Sequence, residues 1–170
     1  MFADEGLGVH LCKLLSKNYA FSHPHKHIID FVDGGTLGLG LSYIIAKYDK
    51  MIVLDCLEAQ NAHIGDVFFF PYEAMPAKVS FSGSAHEVEM LQTLQYMDMI
   101  GDLPLTQILG FIPKRIEAMS FELSQEALNA ASVMEQTLLN FLQNEGFKIE
   151  RKANFSLQEL ANSSYKDEQG

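Results

Sequence analysis

The chain has 170 residues, 48% of them hydrophobic, with 5 prolines and a formal net charge of −10. A chain of this length buries roughly 70% of its unfolded-state surface, and its composition excludes collagen-like, coiled-coil and disordered proteins. From Asp55 to Asp102 there are eight acidic residues and a single basic residue, Lys78. Such a surface argues against a nucleic-acid binder because it repels phosphate.

The first part of the chain alternates between helical and strand patterns. Leucines at helical spacing predict a helix over residues 5–17 with Asp4 as its N-cap. The apolar run 28–32 predicts a strand that delivers Asp33 to a glycine turn. The order therefore begins with a helix and then a strand.

The middle of the chain predicts one more helix and three more strands. The segments are a helix over 37–48 and strands over 51–54, 67–72 and 79–81. The run 51–54 is continuously apolar, as expected for a strand buried on both faces, and it ends at Asp55. Pro71 indicates an edge strand, since proline cannot donate to a sheet ladder.

The last part of the chain carries two helix-start signals. Ser84 and Glu87 form a capping box that predicts a helix to about Ile100, and 107–112 predicts a strand. Ser124 opens a long last helix that Gly146 should stop. Alternating strands and helices predict an α/β protein, a three-layer α/β/α sandwich with a mainly parallel twisted sheet. We expect one domain over residues 1–150 and a polar, flexible tail over 151–170.

The two thiols, Cys12 and Cys56, each lie in an apolar run, which predicts buried free cysteines and a reducing compartment. No basic-then-apolar leader opens the chain, and no apolar stretch reaches the roughly 18 residues of a membrane span. We therefore expect a cytoplasmic protein that does not enter a membrane.

Four polar residues are predicted to meet at one edge of the sheet. Asp33 and Asp55 follow predicted strands, and Glu5 and His86 lie in the first turns of predicted helices. A helix N-terminus favours a carboxylate and a neutral imidazole, the forms that bind metal. Such a set suits nickel or zinc with open coordination positions. Singly, each residue also has a structural interpretation, such as a turn brace for Asp33 or a helix cap for Asp55.

The sequence does not match the motifs of two other classes of functional site. The segment from His86 to Met90 lacks the second histidine of a zincin helix. The glycines after Asp33 do not have the spacing of a dinucleotide-binding loop. Three alternating histidines, His23, His25 and His27, are either an adventitious metal clip or, in the interpretation we favour, solvated loop residues.

Four segments of the chain occur in an order and spacing typical of a known family. They are Phe2-Ala3-Asp4-Glu5-Gly6, Val32-Asp33-Gly34-Gly35-Thr36, Ile52-Val53-Leu54-Asp55 and Ser84-Ala85-His86-Glu87. Together they resemble the hydrogenase maturation endopeptidases over about residues 2–113. Those enzymes remove the C-terminal extension of the large subunit of nickel-iron hydrogenases after nickel has been inserted.

The resemblance implies that Glu5, Asp55 and His86 contact nickel, which the substrate supplies and the protease does not hold permanently. Asp33 resembles the further acidic residue that the family places near the site, and we expect it to be the catalytic group of an aspartic-type endopeptidase. Either the metal or a carboxylate such as Asp33 would activate the water. The expected partner is the hydrogenase large-subunit precursor, with no nucleic acid and no membrane, and the protease is expected to be a monomer.

Two other functions stay open at this point, a non-catalytic nickel-checking or chaperone module on the same fold and a small-molecule hydrolase. The resembling family also begins with an apolar strand and a Gly-x-Gly-Asn turn, whereas here only Met1 precedes Phe2. From this comparison we expect the chain to lack the family's first strand. We expect the natural protein to start upstream of Met1.

Overall fold

The computed structural model describes residues 3–35, 38–76, 79–81, 85–114 and 122–167. The chain divides into two compact units. The terminal unit comprises Met1–Asp33 with Pro113–Gly170, and the central unit comprises Gly34–Ile112. One domain over residues 1–150 stays a prediction.

Helices and strands follow one another along the described residues. The α-helices are α1 Leu7–Asn18, α2 Ser42–Ile45, α3 Ala85–Ile100, α4 Gln125–Asn144 and α5 Leu157–Asp167. The strands are β1 Tyr19–Ser22, β2 Lys50–Ala59, β3 Val67–Pro71, β4 Val79–Phe81, β5 Leu105–Phe111 and β6 Lys148–Arg151. Short 3-10 turns cover Ala3–Gly6, Gly38–Leu41 and Tyr72–Ala74. None of the helices in these ranges is long and apolar enough to cross a membrane.

The leucine stripe of α1 forms the core of the terminal unit, as predicted. Leu7, Leu11 and Leu15 have no solvent exposure. α1 contacts both α4 and α5, and the predicted apolar face of α4 is buried from Ala127 to Leu142. Beside these helices, β1 and β6 form an antiparallel pair.

Both predicted ends of α4 are confirmed. The Ser124 hydroxyl oxygen accepts a hydrogen bond from the Ala127 N–H at 3.1 Å, which satisfies one of the free donors at the helix start. Gly146 has a φ of +96°, and the Phe147 N–H donates to the Leu142 carbonyl at 3.0 Å. This bond across a left-handed glycine is the Schellman arrangement that stops a helix.

The predicted flexible tail is wrong for residues 157–167, which form α5. Leu157, Leu160 and Ala161 are at most 7% exposed, because their spacing of three and four residues places them on one helix face. The Ser156 hydroxyl caps the Glu159 N–H, and Glu159 accepts from the Ser156 N–H at 2.9 Å. The sequence contained this capping box, but the polar composition of the segment concealed the helix.

The central unit contains a four-stranded sheet in the order β3–β5–β2–β4. β2 and β5 are parallel, whereas β3 pairs with β5 and β4 pairs with β2 in antiparallel fashion. The α/β class is confirmed, but the sheet formed by these described strands is mixed rather than mainly parallel. Pro71 lies in the edge strand β3, as predicted.

The predicted strand over 28–32 is wrong, since no strand pairs with it in the part of the chain that the structure describes. Ile28 is 83% exposed and Val32 is 43% exposed, so these side chains bury little apolar surface. Phe31 contacts β1, since its ring centroid lies 5.8 Å from that of Phe21. A strand needs a ladder partner for its backbone groups, and apolar composition alone does not supply one.

The predicted helix over 37–48 is shorter in the structure. Within the described part it consists of a 3-10 turn followed by the four residues of α2. Leu41 and Ile45 are buried and pack with Met97 of α3. The predicted start at Leu37 and the predicted capping residue Ser84 lie outside the described residues. α3 ends at Ile100, as predicted.

Candidate active site

Asp55 lies within β2 rather than directly after it. The parallel ladder with β5 runs from Lys50 to Cys56, and Asp55 stands next to its last pair. β2 then continues to Ala59 because β4 provides an antiparallel partner, so the prediction that the strand ends at Asp55 is wrong. Asp55 nevertheless lies at the carboxyl end of the parallel ladder, the edge where sites of α/β sheets form.

Gly110 of β5 stands opposite Asp55 and permits the close approach of the two strands. A Cβ at this position would lie 2.5 Å from Leu57 Cγ and 2.8 Å from the Asp55 carbonyl oxygen. The half-buried Asp55 side chain accepts a hydrogen bond from the Cys56 N–H at 2.8 Å, which orients its carboxylate. Sequence reasoning missed Gly110, although a glycine inside an apolar strand signals such close backbone contact.

His86 lies in the first turn of α3, as predicted, because the helix begins at Ala85. The structure describes its backbone only. α3 follows β4 in the chain, and Phe81 of β4 pairs with Leu57 of β2. His86 and Asp55 therefore both belong to the central unit, where α3 follows the strand that pairs with β2.

Asp4 and Glu5 occupy the 3-10 turn that precedes α1, in contrasting environments. Glu5 is exposed, whereas Asp4 is only 2% exposed. The Asp4 carboxylate accepts hydrogen bonds from the Ser124 N–H at 2.9 Å, the Ser124 hydroxyl at 2.7 Å and the Lys114 N–H at 3.3 Å. The prediction of Asp4 as N-cap of α1 is wrong, because Gly6 holds that position and Asp4 binds the start of α4 instead.

Asp33 is an exposed residue directly before the predicted glycine turn. Gly35 has a φ of +49°, which confirms a turn that favours glycine. Burial, and secondly the negative charge of Asp33, raise the pKa of the Cys12 thiol to about 11. Cys12 is half-buried, Cys56 is buried, and both are free cysteines as predicted.

The three alternating histidines form a cluster on the terminal unit. The ring centroid of His23 lies 5.6 Å from that of His25 and 4.4 Å from that of His27. His23 Nδ1 accepts from the His25 N–H, and its Nε2 lies 3.2 Å from the Glu145 carbonyl oxygen. Among the side chains that the structure describes, which exclude His86, no group of three or more metal-ligating residues is placed to hold an ion.

The four predicted site residues belong to both units of the chain. Glu5 and Asp33 lie in the terminal unit, and Asp55 and His86 lie in the central unit. His86 lies in the first turn of a helix, as predicted, whereas Glu5 lies in the 3-10 turn before α1. Asp33 directly follows no strand in the described part of the chain, and Asp55 lies within β2. Their convergence in one crevice stays a prediction.

Comparison with known proteins identifies the family. A family model described as hydrogenase maturation protease matches residues 9–141. The chain belongs to the hydrogenase maturation protease family. It is 44% identical to protein HydD of Wolinella succinogenes over 159 residues, which are 93% of this chain and 99% of HydD. It is 26% identical to the hydrogenase 2 maturation protease of Escherichia coli, over 69% of this chain and 70% of that protein.

Solved structures show the same fold. The hydrogenase maturating endopeptidase HybD from E. coli superposes with a TM-score of 0.73 at 22% identity, covering 89% of this chain and 91% of HybD. The hydrogenase maturation protease HybD from Thermococcus kodakarensis gives 0.60 at 17% identity, over 83% and 91% of the two chains. Membership of the hydrogenase maturation protease family, shown by the family model and the 44% identical relative, makes this protein a peptidase, and the non-catalytic and small-molecule alternatives are set aside.

Proposed function

We propose that this protease recognises nickel in the hydrogenase large-subunit precursor and then removes the C-terminal extension of that precursor. The observation that carries the proposal is the family match over residues 9–141, which includes Asp33, Asp55 and His86. The position of Asp55 at the carboxyl end of the parallel ladder supports it, because ligand sites of α/β sheets form there.

In this proposal Glu5, Asp55 and His86 contact the nickel ion that the precursor brings. Carboxylate oxygens and a neutral imidazole are suitable nickel ligands, and three of them leave positions open for the precursor's own ligands. Glu5 is exposed and Asp55 is half-buried, so neither residue is fully removed from solvent. In this proposal nickel belongs to the substrate. Its presence distinguishes a precursor that is to be cleaved from one that is not.

Docking through nickel would place one peptide bond for attack by water, since a bound geometry replaces a chance encounter. The water oxygen bonds to the scissile carbonyl carbon, the C–N bond breaks, and a proton from the water passes to the leaving nitrogen, so that the products are a carboxylate and a free amine. Asp33 supplies an exposed carboxylate that could accept this proton, and nickel could instead acidify the water. The Asp33→Asn variant distinguishes water activation by Asp33 from water activation by nickel, because only the route through Asp33 loses its base.

The test is to incubate the purified protease with nickel-loaded and nickel-free precursor and to follow the intact mass of the precursor. We expect a mass decrease for the nickel-loaded form and none for the nickel-free form. Equal cleavage of both forms would remove nickel recognition from the proposal. A chelator added to the protease alone and then removed should leave the cleavage rate unchanged, because the metal belongs to the substrate.

We further propose that the protease acts as a monomer in the cytoplasm, without nucleic acid or membrane. The free Cys12 and Cys56 support a reducing compartment, and the net charge of −10 supports the absence of a nucleic-acid partner. Sedimentation of the native protein tests the monomer, and a dimer at micromolar concentration would contradict it.

A further inference from the structure

Asp4 is a buried acidic residue directly beside the exposed Glu5. A buried carboxylate is unfavourable unless hydrogen bonds replace its lost hydration. Asp4 is 2% exposed and accepts hydrogen bonds from Ser124 and Lys114, residues far away in the sequence. These partners all belong to the terminal unit. The bonds therefore attach the turn that carries Glu5 to the backbone at Lys114 and to the start of α4 at Ser124.

Ser124 links Asp4 to α4 in one defined geometry. Its hydroxyl oxygen accepts from the Ala127 N–H at 3.1 Å, and the same hydroxyl donates to Asp4 Oδ2 with 2.7 Å between the two oxygens. Its backbone N–H donates to the other carboxylate oxygen of Asp4 at 2.9 Å. The positive end of the α4 dipole also attracts the carboxylate. A helix of 20 residues thus fixes the position of Asp4.

We propose that Asp4 is a positioning residue that sets the Glu5 carboxylate for nickel, and that it acts through Ser124. Both acids lie in the 3-10 turn Ala3–Gly6, so the anchored Asp4 side chain fixes the backbone from which the Glu5 side chain extends. Glu5 itself is exposed. The inference rests on the proposed role of Glu5 as a nickel contact.

The test is a double-mutant cycle with Asp4→Asn and Glu5→Gln. The readout is the affinity for nickel-loaded and nickel-free precursor, measured by rapid-mixing fluorescence before cleavage. We expect Asp4→Asn to weaken binding of the nickel-loaded form about 10-fold, as is typical for groups that orient ligands. In the Glu5→Gln protein the same change should have an effect below about 2-fold, because the group that it positions is gone.

Ser124 variants keep the test decisive even if Asp4→Asn does not fold. Ser124→Ala should weaken nickel-dependent binding as Asp4→Asn does, and Ser124→Thr should restore it because threonine keeps the hydroxyl. The matched control is Ser156→Ala, which removes the equivalent cap of α5 in the same unit. We expect it to lower stability to a similar extent and to leave the affinity unchanged.

Equal weakening by Asp4→Asn with and without the Glu5 carboxylate would overturn the positioning role and leave a purely structural one. Wild-type affinity in Asp4→Asn or in Ser124→Ala would overturn it as well. A wild-type protein that binds nickel-loaded and nickel-free precursor equally would overturn the proposed function itself, and this result is visible without any variant.

Discussion

Burial, and to a smaller extent the negative charge of Asp33, raises the pKa of the Cys12 thiol from 9.0 to about 11. Between these values the folded protein keeps the thiol proton and the unfolded chain releases it, so the free energy of unfolding falls as pH rises. At about 1.4 kcal/mol per pKa unit, we expect the wild type to lose roughly 2–3 kcal/mol relative to Cys12→Ala over this interval. Urea denaturation at several pH values measures the difference.

The Cys12→Ala protein is its own control, because every other titrating group is shared with the wild type. Asp33→Asn should reduce the loss slightly, since Asp33 is the smaller of the two causes. Parallel pH profiles for the wild type and Cys12→Ala would contradict the raised thiol pKa.

The neighbouring acids Asp4 and Glu5 show what sequence reasoning can assign to single residues. Glu5, Asp33, Asp55 and His86 were selected from local signals, namely element ends and motifs. Asp4 was taken for a local helix cap, whereas its partner Ser124 is 120 residues away. Residue spacing contains no information about a contact between residues so far apart in the sequence, so only the structure shows the contact of Asp4 with Ser124.

Among the secondary-structure elements, the β2–β5 pair depends on Gly110. Gly110→Ala would place a Cβ at 2.5 Å from Leu57 Cγ and 2.8 Å from the Asp55 carbonyl oxygen. We expect a loss of about 2–3 kcal/mol in the free energy of unfolding, typical of an overpacked core, together with loss of cleavage through displacement of Asp55. Urea denaturation and the precursor assay measure the two effects.

The double variant Leu57→Ala with Gly110→Ala is the informative control, because it removes the side-chain part of the clash. Its destabilisation should be smaller than the sum of the two single changes. Strict additivity of the two changes would show that a Cβ at position 110 does not clash with the Leu57 side chain.

Helix α5 gives a second test among the elements. Leu160 is 3% exposed, so Leu160→Ala should lower the free energy of unfolding by about 2–4 kcal/mol through lost burial and a residual cavity. Asn162→Ala, at an exposed position of the same helix, should change it by less than about 0.5 kcal/mol. Equal, small effects of both substitutions in urea denaturation would restore the interpretation of this segment as a loose tail.

The elements differ in how far the sequence predicts them. Both ends of α4 and the last residue of α3 were predicted, because apolar spacing and caps are local signals, whereas α1 begins at Leu7 rather than at the predicted residue 5. The run 28–32 has the composition of a strand, yet no described strand pairs with it, since pairing depends on distant segments. Pairing with segments distant in the sequence also explains why the sheet is mixed and why β2 continues beyond Asp55.

For the protein as a whole, the family was the most predictable property. Four short motifs in register indicated a hydrogenase maturation endopeptidase, and the family match over residues 9–141 confirms it. Motif order is retained in the sequence itself, so it needs no knowledge of packing. The placement of the nickel-contacting side chains relative to one another depends on packing, and motifs do not supply it.

The role of Glu5, Asp55 and His86 in nickel recognition is tested most directly by His86→Ala. The measurement is the intact mass of nickel-loaded precursor over time with wild-type and variant protease. We expect the wild type to release the C-terminal extension and the variant to leave the precursor uncut. Its free energy of unfolding should stay within about 1 kcal/mol of the wild type, since loss of a site residue removes little core area. Processing by His86→Ala at the wild-type rate would contradict the account.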